Sequence, residues 1–487
     1  MPDWKPAWKR CASTCWRIRR CRRQRLKPVI PQQQKRRRVS VSDGAFHDRL
    51  NDAIASMSSI PIARVTGRLV KVNGLMLQAV GCKFRLEQRC LVETDDGEAI
   101  EAQVVGFDRD VAYLMPVRQL GGLYAGARVV PLDGDSTVAL GDHWLGRVVN
   151  GLGEPFDDLG PLKGGEKVSL NPSPINPLKR RLVDTPLDVG IRAINGLLTL
   201  GKGQRIGLMA GSGVGKSVLM GMITKNTKAD IVVVGLIGER GREVREFIQR
   251  NLGAEGMKRA VVIAAPADES PLMRLRATKL CHRVAEYYRD KGKDVLLLMD
   301  SLTRYAMAQR EIALSLGEPP ASRGYPPSVF SQLPQLLERA GNGEHPDGSL
   351  TAIYTVLADG DDQQDPVVDS ARAILDGHVV LSRTLAEQGH YPAIDINASI
   401  SRCMSNCTEN SHVTVANRFR QLNANYLQVK ELLPLGGYQP GQDAELDLSV
   451  QVFPQLKDFL VQQVDEVTDY QQSLVRLAEL FTQTQQG

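Results

Sequence analysis

The sequence predicts an α/β fold in which a parallel sheet covered by helices lies between an N-terminal β-barrel and a C-terminal helical domain. Strand-like and helical segments alternate through the middle of the chain, which is typical of a parallel sheet with helices on both faces. Between residues 63 and 133, short β-type runs are separated by Gly and Asp-Gly, a spacing typical of a small antiparallel barrel. With 487 residues, the chain is long enough for about three domains.

Five apolar runs have the length and composition of buried strands: residues 205–210, 230–237, 260–265, 294–299 and 350–357. Between the third and fourth runs, apolar side chains recur every three or four residues, which predicts one buried face of a long helix. These side chains are Met273, Ala277, Cys281, Val284 and Tyr288. Segments 419–433 and 458–481 are also predicted to be helical, and the segment 151–177, rich in Gly, Pro and Asn, to be a linker.

The domain boundaries follow from these changes of pattern along the chain. Four parts are predicted: a basic tail (1–42), a short amphipathic helix followed by the barrel (43–135), the sheet domain (136–408) and the helical domain (409–487). No run approaches the roughly 18 to 20 apolar residues that a membrane-spanning helix needs.

The basic charge of the chain is confined to its first residues. Residues 1–40 contain fourteen Lys or Arg and one acid, a local charge of +13, whereas the whole chain carries +6, so the other 447 residues carry −7. A globular nucleic-acid-binding protein usually carries its basic surface on the folded part, so we expect no nucleic-acid partner. We expect the tail to be disordered and without a role, or to reflect an upstream translation start; binding to anionic lipid or nucleic acid is the alternative.

The eight cysteines form no disulfide framework, and no secretory signal precedes them, so a reducing cytoplasm is the predicted compartment. Cys403, Cys407 and His412 are close enough in sequence to suggest a metal site. They lack a fourth ligand at a known spacing, so the preferred interpretation is ordinary packing of the thiols.

The strongest motif is Ala-Gly-Ser-Gly-Val-Gly-Lys-Ser at residues 210–217, placed between a predicted strand and a predicted helix. This is the P-loop of a RecA-like core, whose backbone N–H groups wrap a triphosphate at close range. The loop residues expected to bind phosphate are Gly211, Ser212, Gly213, Val214 and Gly215. Lys216 is expected to bridge the terminal phosphates, and the Ser217 hydroxyl to bind Mg²⁺.

Two acidic residues follow buried strands at the same predicted edge of the sheet. Asp300 ends the run 294–299, where open parallel sheets place ligands, and is expected to hold Mg²⁺ through water. Glu239 follows the run 230–237 and can polarise the attacking water. Taken alone, a structural ion pair between Glu239 and Arg240 is an equally good interpretation.

These pieces, in this order, resemble the catalytic subunits of the rotary ATP synthase superfamily. Tyr-Pro-Ala-Ile-Asp at 391–395 and Ser-Ile-Ser-Arg at 399–402 are similar to its α/β signature. Within the superfamily, the segments 267–276, 359–366 and 373–383 resemble the type III protein export ATPases. The segment 189–200, together with the P-loop, resembles the flagellum-specific branch. The resemblance covers roughly residues 50 to 487.

The resemblance implies roles for individual residues. Glu239 matches the catalytic glutamate, and Arg402 the arginine finger donated to the neighbouring subunit's nucleotide. Tyr391 and Tyr438 match aromatic residues that flank adenine, with core packing as the alternative for each. Arg304 matches a γ-phosphate contact.

The resemblance also implies an assembly and a function. It implies a homohexamer with active sites between subunits, cytoplasmic and peripheral at the inner-membrane export apparatus, in which ATP hydrolysis drives or initiates flagellar protein export. The implied partners are a stator-like regulator at the N-terminal helix, a central stalk-like coiled coil, an export gate membrane protein and chaperone–substrate complexes.

Four rival functions share parts of this pattern. They are an injectisome type III secretion ATPase, a catalytic subunit of an ATP synthase, an RNA-dependent hexameric translocase, and a non-hydrolysing nucleotide-gated scaffold, against which Glu239 argues. The third needs stacking aromatic residues on the barrel, where the sequence offers only Phe84, Phe107, Tyr113 and Tyr124.

Overall fold

The computed structural model describes residues 49–51, 65–118, 121–134, 136–344, 348–357, 365–435 and 437–482. The predicted tail lies outside the described residues, as does most of the predicted N-terminal helix, of which only residues 49–51 are described, as helix. The chain divides into two compact units, Met1–Arg64 and Val65–Gly487, and the second contains every element named below. Among the described residues, no helix is both long and apolar enough to cross a membrane.

The first domain of this unit is a closed six-stranded barrel, as predicted. Its strands are β1 (Gly67–Asn73), β2 (Met76–Val80), β3 (Arg89–Glu93), β4 (Ala99–Asp108), β5 (Val111–Pro116) and β6 (Arg128–Pro131), paired in the order β1-β2-β5-β4-β3-β6. Alternate side chains point inward, so that Leu77, Val92, Val104 and Leu114 are fully buried in its core.

Two short antiparallel pairs accompany the main sheet. One joins β7 (Thr137–Leu140) to β9 (Glu166–Ser169), and the other joins β10 (Pro186–Leu187) to β11 (Leu200–Gly201). Strand β9 lies inside the predicted linker 151–177, so the linker prediction was wrong there. The Gly- and Pro-rich residues around this four-residue strand conceal it in the sequence.

The central sheet has eight strands and confirms the predicted α/β core. They are β8 (Val148–Val149), β12 (Arg205–Ala210), β13 (Ile231–Ile237), β14 (Ala260–Ala265), β15 (Asp294–Asp300), β16 (Ser349–Leu357), β17 (Gly377–Leu381) and β18 (Ile394–Ser401). Their order is β18-β17-β12-β16-β15-β13-β14-β8, and every pairing is parallel except that of β17 with β18. The five predicted strands agree with the observed bounds to within one residue.

Helices cover both faces of this sheet. They are α1 (Arg192–Leu197), α2 (Lys216–Asn226), α3 (Gly241–Glu246), α4 (Gly253–Met257), α5 (Pro271–Asp290), α6 (Leu302–Ser315), α7 (Pro327–Leu337), α8 (Pro366–Ile374) and α9 (Arg383–Glu387); a π-helical segment, Phe247–Leu252, joins α3 to α4. Helix α5 is the predicted long helix. It begins where the Ser270 side chain accepts a hydrogen bond from the Met273 N–H, and Pro271 occupies its first turn.

The C-terminal domain is helical, as predicted, but one predicted helix is continuous only in its second half. It contains α10 (Met404–Cys407), α11 (Asn410–Val429), α12 (Ala444–Leu460) and α13 (Tyr470–Thr482). The predicted helix 458–481 is interrupted between α12 and α13, where Gln462 N–H donates to the carbonyl of Tyr391. Helix α12 was missed because Pro454, usually a helix breaker, lies inside it.

Candidate active site

The P-loop connects the end of β12 to the start of α2, at the carboxyl edge of the central sheet. Gly213 and Gly215 have φ angles of 81° and 91°, which residues with a side chain rarely adopt. Gly215 precedes α2 and makes no side-chain hydrogen bond to its first turn. The first backbone N–H groups of α2 therefore remain available to an anion. Val214 is buried and anchors the loop, whereas Ser212 and Ser217 are exposed.

Lys216 meets two carboxylates at this edge. Its Nζ lies 2.5 Å from Asp300 Oδ1 and 3.6 Å from Glu239 Oε1. Asp300 ends β15, and Glu239 follows the neighbouring strand β13 by two residues, which brings both acids beside the P-loop. The three side chains are 5 to 11% exposed, so their charges interact with little screening by water.

The charges in this cluster do not balance, because two buried carboxylates face one lysine. Burial, and then the nearby Asp300 carboxylate, raise the pKa of Glu239 to about 7 against the opposing effect of Lys216. Within the described part of the chain, the buried Oε1 of Glu239 has no hydrogen-bond partner. The Ser217 hydroxyl and the Asp300 carboxylate are oxygen ligands of the kind that Mg²⁺ prefers, and the excess negative charge of the cluster favours a cation.

Three residues that sequence reasoning missed hold this cluster in place. Thr355 Oγ1, near the end of β16, donates to Asp300 Oδ1 at 2.5 Å. Asn251 Nδ2 donates to the Ser217 carbonyl at 2.8 Å, and an Arg383 guanidinium N–H to the Ser212 carbonyl at 3.2 Å. Only Thr355 had a sequence signal, since it lies in a strand that ends at the same edge as Asp300.

Tyr391 and Arg304 also lie beside the predicted site. A methyl group in place of the Gly215 hydrogen would lie 3.3 Å from Cε1 of Tyr391, so this half-exposed ring rests against the P-loop backbone. A methyl group on Gly238 would lie 2.9 Å from Cβ of Arg304, which puts Arg304 next to Glu239. The backbone N–H of Arg304 donates to Ser301 Oγ, the cap of α6.

Tyr438 and Arg402 make their contacts elsewhere. The Tyr438 hydroxyl donates to Asp447 Oδ1 within the C-terminal domain. Arg402 follows β18, which runs antiparallel to β17, so Ser401 is paired with the first residue of β17 rather than the last. Since Leu381, at the other end of β17, is paired with Ala210, the backbone of Arg402, which lies level with Asp376, is about 16 Å from the P-loop edge at 3.3 Å per residue.

The alternative metal site at Cys403, Cys407 and His412 gains no support. The Cys407 thiol lies 3.1 Å from the Cys403 carbonyl, and the His412 imidazole Nε2 lies 2.6 Å from the Gly196 carbonyl. Throughout the described ranges, no group of three or more His, Cys, Asp and Glu side chains is arranged to hold a metal ion.

Comparison with known proteins identifies the family. A model of the ATP synthase alpha/beta family, nucleotide-binding domain, matches residues 190–401, and a model of the C-terminal domain of the type III secretion ATPase EscN matches residues 408–479. The chain is 57% identical to a flagellum-specific ATP synthase from Pseudomonas aeruginosa over 90% of this chain and 98% of the relative. The chain belongs to the flagellar and type III secretion ATPase family.

Other relatives agree. A flagellum-specific ATP synthase from Salmonella typhimurium is 51% identical over 89% of this chain and 97% of that relative, and a type 3 secretion system ATPase from Xanthomonas euvesicatoria is 46% identical over 87% and 96%. Among solved structures, the assembled ATPase EscN from enteropathogenic E. coli matches with a TM-score of 0.81 and 41% identity, covering 85% of this chain and 99% of that chain.

These comparisons confirm the predicted family, fold class and enzyme class. The chain is a P-loop ATPase of type III protein secretion. The match over residues 408–479, which include most of α11 to α13, places this family member in the secretion branch rather than with ATP synthase subunits.

Proposed function

We propose that this ATPase serves flagellar protein export as a ring of six subunits, with ATP bound between neighbours. One feature of the site supports ATP hydrolysis: Lys216, Glu239 and Asp300 meet at the end of the P-loop, and the Glu239 carboxylate can accept a proton. Identity of 57 and 51% to flagellum-specific ATP synthases, against 46% to a type 3 secretion system ATPase, favours the flagellar branch.

The residues of the cluster divide the chemistry of hydrolysis among them. Lys216 bridges the β- and γ-phosphates, while the N–H groups from Gly211 to Gly215 hold the remaining oxygens. Ser217 and Asp300 would hold Mg²⁺, which would offset the charge on the phosphates. Glu239 orients the attacking water and accepts its proton, a role that suits a carboxylate whose pKa is about 7.

Two of the remaining candidate residues contact the adenine base, and two contact the phosphates. Tyr391 stacks on the adenine, because its ring already rests against the P-loop. Tyr438 flanks the other side of the base, and Arg304, beside Glu239, contacts the γ-phosphate. Arg402, exposed and remote from its own P-loop, donates its guanidinium to the neighbour's nucleotide.

The proposed partners come from the relatives. EscN has been solved as an assembly and in complex with its central stalk EscO, so we infer a comparable ring and a stalk-like coiled coil for this chain. The other proposed partners are a stator-like regulator at the N-terminal helix, an export gate membrane protein and chaperone–substrate complexes. The ring would then work in the cytoplasm, peripheral to the inner membrane.

The proposed roles are tested by two substitutions that stop the reaction at different steps. Glu239→Gln is expected to bind ATP normally but to lose about 10² to 10⁴ in turnover, because the base is gone and the P-loop is intact. Lys216→Ala is expected to lose binding and turnover together. Isothermal titration with ATP and a phosphate-release assay separate the two results. Near-normal turnover by Glu239→Gln would return Glu239 to a structural role.

The flagellar branch is tested in a cell. Expressed in a Pseudomonas aeruginosa strain that lacks its flagellum-specific ATP synthase, the chain is expected to restore swimming and release of hook protein, and its Lys216→Ala variant to restore neither. Restoration only in a strain lacking an injectisome ATPase would favour that rival.

A further inference from the structure

The loop between α12 and α13 is bonded to the segment that carries Tyr391. Gln462, 3% exposed, donates its backbone N–H to the Tyr391 carbonyl at 3.0 Å. Its side-chain Oε1 accepts from the Arg192 N–H at 2.8 Å, and its Nε2 donates to the Gly190 carbonyl at 2.9 Å and the Glu466 carbonyl at 3.0 Å. Through its backbone and its side chain, Gln462 therefore joins three parts of the chain: the residues around the start of α1, the segment before β18 and the C-terminal domain.

Arg192 fixes the same loop from the other side. Arg192 is also 3% exposed, and its guanidinium donates to the carbonyls of Phe459 at 3.1 Å and of Val461. It forms an ion pair with Glu466, which a second arginine, Arg476, also approaches at 3.2 Å. A buried guanidinium is costly unless its donors are satisfied, and these partners all belong to the C-terminal domain. Docking of the helical domain is thus required to satisfy Arg192.

We propose that Arg192 and Gln462 form a latch that positions the Tyr391 ring against the P-loop, so that docking of the C-terminal helical domain sets the affinity for the nucleotide base. The proposal rests on the proposed contact between Tyr391 and adenine. Neither latch residue touches the phosphates. Both are positioning residues, which act through the backbone of Tyr391, and their loss is expected to weaken recognition of the base while leaving recognition of the triphosphate intact.

A purely structural role for the latch makes a different prediction, and Arg420 provides the matched control. This partly buried arginine on α11 also joins the helical domain to the nucleotide domain, donating to the carbonyls of Ser399 at 3.1 Å and Leu197 at 2.6 Å. Its acceptors lie towards the C-terminal ends of β18 and α1, whereas Gln462 bonds to residues at or before the start of each element. If weaker contact between the two domains were enough to lower the affinity for ATP, Arg420→Lys and Arg192→Lys would raise the KM for ATP equally.

The experiment compares ATP with inorganic tripolyphosphate, which fits the P-loop but has no base. Gln462→Met is the main variant, since it removes the side-chain hydrogen bonds with little change in volume, and Arg192→Lys is the second. Each is expected to raise the KM for ATP by about three- to tenfold, part of what loss of base stacking costs. The kcat is expected to stay within about twofold, and the inhibition constant of tripolyphosphate to stay unchanged. Arg420→Lys is expected to change none of the three.

Several results would overturn the latch. They are an unchanged KM for ATP in both latch variants, a parallel rise in the tripolyphosphate constant, or the same behaviour from Arg420→Lys. A double-mutant cycle with Tyr391→Ala tests the route of action: in that background Gln462→Met is expected to have no further effect, and additive effects would contradict action through Tyr391. If Tyr391→Ala leaves the KM for ATP unchanged, the adenine contact is wrong and the latch falls with it. If Tyr391→Ala raises the KM but the latch variants do not, only the latch is wrong.

Discussion

The two edges of the central sheet carry similar residue types in opposite electrostatic states. At the edge where the parallel strands begin, Arg205 pairs with Asp376, with Nε 3.1 Å from Oδ2, and the Arg205 backbone N–H also donates to that oxygen. Lys202 Nζ lies 2.5 Å from Asp294 Oδ2, and Ser349 donates to the other oxygen of Asp294. Each of these carboxylates faces its own cation and a further donor.

At the edge where the strands end, one lysine faces two carboxylates. Lys216 lies closer to Asp300 than to Glu239, and the Glu239 pKa rises to about 7 as a result of burial and of Asp300. The paired carboxylates where the strands begin therefore stabilise the fold. Where the strands end, ionisation of Glu239 costs stability, but the raised pKa suits a general base. Perturbed pKa values of this kind cluster at functional sites.

The largest effect is expected from Arg402, an exposed cation that lies where the parallel strands of the sheet begin. Its guanidinium donates to the Arg372 carbonyl, and its backbone N–H to that of Asp376. Arg402→Ala is expected to bind ATP yet lose about 10³ to 10⁵ in turnover, because charge on the transferred phosphoryl group is no longer neutralised by the neighbouring subunit.

Mixing two inactive proteins tests this arrangement in trans. An Arg402→Ala subunit keeps its own P-loop and can use Arg402 from a Lys216→Ala neighbour, so rings that exchange subunits are expected to recover phosphate release. Each variant incubated alone is the control. Full activity of Arg402→Ala by itself would end the hypothesis.

The second prediction concerns Glu239, at the end of the strands, and the pH dependence of kcat/KM. Glu239 must be ionised to accept a proton, so kcat/KM is expected to fall about tenfold per pH unit below its pKa of about 7. An ordinary glutamate, with a pKa of about 4.3, would keep kcat/KM level down to roughly pH 5. The measurement is a profile from pH 5.5 to 8.5, with samples returned to pH 8 to show that the protein survives. A level profile would contradict the raised pKa.

The sequence was most informative where one residue type is required by local chemistry. Gly213 and Gly215 need positive φ, and the buried strands need long apolar runs, so the P-loop and five strands could be predicted. Contacts between distant segments have no such local pattern. Thr355 on Asp300 and Asn251 on the Ser217 carbonyl join residues far apart in the chain, and neither was found, although Thr355 lies near the end of a predicted strand. The break between α12 and α13 was missed for the same reason, since Gln462 is held there by Tyr391.

The smallest effect is expected in stability, where the two edges respond with opposite sign. Replacing the paired carboxylate in Asp294→Asn removes its ion pair with Lys202, so we expect a loss of about 1 to 2 kcal/mol, which lowers the melting temperature by about 1 to 2 °C. The kcat of this variant is expected to stay within about twofold of the parent value. Asp294 lies at the opposite end of β15 from Asp300, and so away from the candidate active site.

Glu239→Gln is expected to raise the stability of the folded protein. Because the folded-state pKa of Glu239 is raised above the unfolded value, ionisation costs stability as pH rises from about 4.5 to 7, and the full cost persists above pH 7. The neutral amide avoids this cost. The nucleotide-free variant is therefore expected to melt about 2 to 5 °C above the parent protein at pH 8 and at the same temperature near pH 4.5. Differential scanning calorimetry across this pH range, with Asp294→Asn alongside, measures both signs at once. A lower melting temperature for Glu239→Gln at pH 8 would mean that the Glu239 carboxylate stabilises the fold as the paired acids of the other edge do.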